Sequence, residues 1–147
     1  MRAEVVKDYK PILSQCFSTD DDLLNKWHIV AGKGQAACVE KTFLDLQDAK
    51  VKFFKILHDE SLAGYFCKEI FGDKQYLTGF FLMPEFRNEA MRLRFWAIIE
   101  MNFKLPFYCG LYEKNVPANK FIQSQGGKLI KRVAIPDGKA VLYKVGV

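Results

Sequence analysis

The stretch Phe80-Phe81-Leu82-Met83-Pro84-Glu85-Phe86-Arg87-Asn88-Glu89-Ala90-Met91-Arg92 runs an apolar strand through a proline and an arginine into a helix pattern. That order suits the binding of an anion. A helix start carries up to four backbone N–H groups without intrahelical acceptors, together with the positive end of the helix dipole, so a phosphate can be held there largely by main chain. Arg87 beside it can add charge-assisted bonds. The turn contains no glycine, so side chains stand where a closely approaching ligand needs bare backbone.

Other candidate groups read as structural. Cys16, Cys38, Cys67 and Cys109 are widely spaced, with no CxxC pair and no histidine at ligand spacing, which describes reduced core thiols and no metal site. The acidic run Asp20-Asp21-Asp22 after Ser18-Thr19 reads as a helix cap, because adjacent aspartates on a helix point in different directions. Gly32-Lys33-Gly34 lacks the GxxxxGK[ST] spacing of a phosphate-binding P-loop and reads as a helix break. His28, next to Trp27 in a helix pattern, and His58, at a turn, read as packed or surface residues.

Around these groups, Asp8 to Phe17 and Ser18 to about Ala49 have helical patterns. From Val51 the pattern becomes β-rich: residues 51 to 57, 62 to 71 and 75 to 83 form an antiparallel meander with turns at His58-Asp59-Glu60-Ser61 and Gly72-Asp73-Lys74. The apolar positions after Arg87 predict an amphipathic helix ending near Lys104. Phe107 to Tyr112 reads as a strand, Pro117 opens a helix that Gly126-Gly127 closes, and residues 128 to 135 and 139 to 145 form a hairpin through Pro136-Asp137-Gly138. The result is an α+β plan with a parallel crossover in the middle.

The chain has 147 residues, half of them hydrophobic, which is enough for one domain with its own core over residues 1 to 147. No apolar run approaches the ~20 residues of a membrane helix, and Met1-Arg2-Ala3-Glu4 begins no signal segment, so a soluble, cytoplasmic protein is expected. The net charge of +5 is spread among acidic residues. Neither that charge nor the aromatic residues are arranged as a nucleic-acid surface.

Two segments carry a family resemblance. Gly79 to Arg92 is similar to the apolar strand followed by P-x-x-R-x-x-G-x-G/A of the GNAT (Gcn5-related N-acetyltransferase) superfamily, and Asn115-Val116-Pro117-Ala118-Asn119-Lys120-Phe121 through Gly126 is similar to its N-x-x-A-x-x-hydrophobic segment. The resemblance implies a mixed, mostly antiparallel central sheet with flanking helices and a V-shaped splay between the strand ending at Met83 and the strand starting near Pro106. It implies acetyl-CoA as cofactor, with the pantetheine arm against the main chain of Phe81, Leu82 and Met83, the pyrophosphate on Asn88, Glu89, Ala90, Met91 and Arg92 with Arg87 beside it, and Asn115 near the cofactor. The partner implied is an amine-bearing substrate.

The chain departs from the family pattern at three places. Ala90 and Arg92 stand where the loop glycines belong, and Arg92 either obstructs the phosphate seat or adds a cation to it. Ile122 stands where many members have the tyrosine that protonates the departing thiolate. Glu69, Tyr76, Thr78, Cys109 and Tyr112 lie on or beside the central strands, and none is singled out as a general base. The alternative function is a non-catalytic GNAT-fold binding or assembly protein. Asn115 to Gly127 also resembles GNAT-like proteins encoded by short-tailed bacteriophages, which makes a phage-related protein the source expected for that alternative.

Overall fold

The computed structural model describes residues 1–20, 34–136 and 138–146. Its elements, in chain order, are strand β1 (Arg2–Val6), helices α1 (Lys10–Phe17) and α2 (Gln35–Asp48), and strands β2 (Lys52–His58), β3 (Ser61–Phe71) and β4 (Lys74–Leu82). A short 3₁₀ turn (Pro84–Phe86), helix α3 (Glu89–Met101), strand β5 (Phe107–Tyr112), helix α4 (Val116–Ser124) and strands β6 (Lys128–Ile135) and β7 (Gly138–Val145) complete it. The strands form one sheet in the order β1-β2-β3-β4-β5-β7-β6, antiparallel except where β4 and β5 run parallel. No helix among the described residues is long and apolar enough to cross a membrane.

Adjacent aromatic pairs dictate how the sheet is clothed. Successive strand residues face opposite sides, so Phe53-Phe54, Tyr65-Phe66 and Phe80-Phe81 each send one ring to either face. Phe54 and Phe66 join Phe95, Trp96 and Ile99 of α3 and Ile122 of α4 in one core. Phe53, Tyr65 and Phe81 join Leu13 and Cys16 of α1 and Cys38 and Leu46 of α2 in the other. The meander, the α3 crossover and the terminal hairpin therefore stand where the alternation of the sequence places them.

The structure adds one element and moves one boundary. Residues 2 to 6 pair with β2 as an edge strand, a role their mixed pattern does not announce. The Ser18 and Thr19 hydroxyls donate back to the Gln15 and Cys16 carbonyls at 2.7 and 2.6 Å, closing the end of α1. Helix α3 ends at Met101, with Asn102 as its C-cap, three residues short of Lys104. The expected helical run through residues 21 to 33, with His28 and Gly32-Lys33, lies outside the described residues.

Candidate functional site

Strands β4 and β5 pair only at Tyr76 with Tyr108 and Leu77 with Cys109. Immediately beyond, β3 pairs Lys68 with Leu77 but Cys67 with Gly79, which leaves Thr78 as the extra residue of a β-bulge. The bulge marks where the sheet divides. Past it, β4 continues along β3 to Leu82 while β5 continues along β7 to Tyr112, giving the V-shaped splay.

Two cavities open on this gap, one from each face of the sheet. The larger, about 740 Å³, lies between the start of α3 and α4; the smaller, about 370 Å³, lies toward α1 and α2. Phe80, Phe81, Asn115 and Ala118 line both, so the two cavities share a wall at the splay.

Local sequence builds the larger cavity. Asn88 is the N-cap of α3, its side-chain oxygen accepting from Met91 N–H at 3.0 Å, and the first helical bond runs from Arg92 N–H to the Asn88 carbonyl at 2.9 Å. The N–H groups of Glu89 and Ala90, at the first two helical positions, have no intrahelical acceptor. Arg87, Arg92 and Lys120 line the cavity against one acid, Glu89. The Arg92 side chain is exposed, so it adds a cation at the mouth and leaves the interior open. Arg92 and Lys120 form no ion pair among the described residues.

Arg87 is engaged on several sides. Its Nε donates to the Leu82 carbonyl at 2.6 Å, its guanidinium forms an ion pair with Asp20, and it lies 5.1 Å from the centre of the Phe81 ring. Asp20, which reads in sequence as part of a cap, is thus the counter-ion that fixes Arg87. The main chain of β4 is likewise divided. Met83 N–H donates to the Ala63 carbonyl at 2.8 Å, so Met83 and Phe81 direct their backbone groups at β3, while alternation turns those of Phe80 and Leu82 into the gap.

Of the expected site residues, the structure brings Phe81, Leu82, Arg87, Glu89, Arg92 and Asn115 to the wall of the larger cavity. Met83, Asn88, Ala90 and Met91 do not line it: Met83 is buried in the core beside α1 and α2, and Asn88 is spent on its cap. Asn115 caps α4, accepting from Ala118 N–H at 3.3 Å. Ile122 is fully buried in the core.

Among the groups considered as a base, Thr78 and Tyr112 line the smaller cavity. Glu69, Tyr76 and Cys109 do not; Tyr76 packs on Tyr108 with ring centres 5.5 Å apart. Burial pushes the Cys109 and Cys67 thiols far up and that of Cys16 up to about 12, which leaves them unreactive. His58 packs edge-on against Phe86 at 5.6 Å, away from both cavities.

Two residues that sequence reasoning passed over hold the site together. Lys120 reaches the mouth because Pro117, Lys120 and Ser124 share one face of α4, a spacing visible in the sequence. Asn119 donates to the Tyr112 and Asn115 carbonyls at 3.0 and 2.7 Å and accepts from the Tyr143 hydroxyl at 2.7 Å, fastening α4 to the end of β5 and to β7. No residue spacing announces that network.

No protein-family model matches the sequence, nor does any curated protein. Solved structures do match. An acetyltransferase from Thermus thermophilus is 13% identical with a TM-score of 0.69, covering 100% of this chain and 98% of its own. A Salmonella typhimurium acetyltransferase that modifies the N-terminal serine of ribosomal protein L7/L12 is 13% identical with a TM-score of 0.67 over 99% and 94%. A ribosomal L7/L12 α-N-protein acetyltransferase in complex with coenzyme A is 14% identical with a TM-score of 0.63 over 100% and 95%. The fold is that of the GNAT acetyltransferases.

Proposed function

We propose that this protein is an acyl-CoA-dependent N-acyltransferase. The observation that carries the reading is the meeting of two cavities at the β4–β5 splay, the larger of them lined by three cations around a helix start. The donor set there suits a polyanionic thioester. The Glu89 N–H group, with Arg92 and Lys120, would hold the pyrophosphate, and the gap-facing backbone of Phe80 with the Leu82 N–H would hold the amide-bearing arm. When bound, the acyl donor supplies an activated carbonyl carbon whose C–S bond is exchanged for a C–N bond to the amine, the thiol leaving with the proton the amine gives up.

The protein's own contribution is positioning and electrostatics. The shared wall at Phe80 and Phe81 sets donor and acceptor within reach of each other, which by itself can account for much of the rate of a two-substrate reaction. Ile122 offers no proton to the departing sulfur, so that proton comes from the amine or from water.

Calorimetric titration with acetyl-CoA tests this. Micromolar binding is expected, and Arg92→Ala and Lys120→Ala should each weaken it about tenfold by removing a charge-assisted contact. Absence of binding at millimolar acetyl-CoA would sink the proposal. It would leave a second reading, a non-catalytic binding protein on the same scaffold. Two observations favour that reading: the buried Ile122, and the Arg87 guanidinium that already occupies the Leu82 carbonyl.

A further inference from the structure

The smaller cavity differs from the larger in charge and in lining. Asp45 is the only charged side chain on its described wall. Five of the wall residues are aromatic, and three of these, Phe17, Tyr65 and Phe81, pack ring on ring at 5.9 to 6.4 Å. All three are at least nine-tenths buried, so they form a fixed apolar floor. Tyr112 stands half-buried above it.

We infer that this cavity takes a small primary amine carried on an apolar or aromatic body, in preference to the N-terminus of a polypeptide. The inference rests on the acyltransfer reading for its function, and on the cavity alone for its chemistry. A carboxylate with aromatic faces is the usual setting for an ammonium group: the acid pairs with the charge, and the rings attract it through their quadrupoles. Asp45 now accepts from Lys41 at 2.7 and 2.8 Å, an exposed pair one helical turn apart on α2. Such a pair contributes only a few tenths of a kcal/mol, so an incoming ammonium can share or replace Lys41.

Size points the same way. About 370 Å³ is the lower range of small-molecule sites. A polypeptide brings an amide group at every residue, each needing a partner once it leaves water. The floor of this cavity supplies rings. Opposite it, the larger cavity carries three cations and one acid. The two sides of the splay are thus sorted by charge, one for an anionic donor and the other for a cationic acceptor.

The test needs no acyl donor. The full chain, labelled for NMR, is titrated separately with phenethylamine, 2-phenylethanol, ethylamine and a tetra-alanine peptide with a free N-terminus, and the amide signals of Thr78, Gly79 and Tyr112 are followed. Phenethylamine should bind at least tenfold more tightly than each of the other three, and Asp45→Asn should weaken it about tenfold while leaving 2-phenylethanol unchanged. Because Asp45 is exposed, that substitution spares the fold. Binding of the peptide as tight as that of phenethylamine, equal binding of 2-phenylethanol, or no shift at these positions overturns the inference. A protein that fails to bind acetyl-CoA can still pass this test, so the two proposals fail separately.

Discussion

The two faces of the splay are built in opposite ways. The face toward α3 and α4 is assembled from two continuous segments, 80 to 95 and 115 to 125, and works largely through helix starts, caps and main chain. The face toward α1 and α2 is assembled from side chains of α1, α2, β3, β4 and β5 that meet only in the fold. Backbone devices are local, so a site made of them can be read along the chain. A site made of distant side chains cannot.

The largest effect should come from breaking the wall the two faces share. Gly64 lies against β4, and a Cβ there would sit 2.0 Å from the Phe81 carbonyl oxygen, a backbone atom with nowhere to go. Gly64→Ala is expected to cost on the order of 5 kcal/mol, read by denaturant unfolding, and to remove binding in both cavities. If it left either cavity intact, the common wall would not be what joins them.

Phe53→Ala separates the faces. Phe53 is stacked between Tyr9 and Tyr65 at 4.6 and 4.9 Å in the core beside α1 and α2. Its loss should cost about 3 to 4 kcal/mol. In the folded fraction, amine binding should fall while acetyl-CoA affinity stays within about twofold, which calorimetry on the same sample would check.

Asn88→Ala touches only the other face. Removing the cap of α3 should cost about 1 kcal/mol in thermal or denaturant unfolding and leave phenethylamine binding unchanged. A change in amine affinity here would show that the faces are coupled through α3.

The same contrast explains what was legible. The meander, the crossover and the terminal hairpin follow from alternation and turn residues, and the strand-Pro-Arg and Asn115 segments locate the larger cavity because capping is a short-range affair. Arg87 was legible as a cation but not as a committed one, since its partner Asp20 lies 67 residues away and reads as a cap. The bulge at Thr78 was hidden for a related reason. An extra residue in β4 is defined only against its partner, and the run from Gln75 to Met83 looks the same with or without it. Strand β1 is short and on an edge, where burial imposes little pattern.

The two-rung seam between β4 and β5 also bears on how the chain finds its shape. Strands β1 to β4 come from residues 2 to 82 and strands β5 to β7 from residues 107 to 145, so each part of the sheet is drawn from one continuous stretch of chain. The β2–β3, β3–β4 and β6–β7 ladders close over short turns, whereas β4 and β5 are brought together across α3. The sheet is therefore two panels, zipped for two residues and held thereafter by a shared core. The cleft is the length over which the zipper stops.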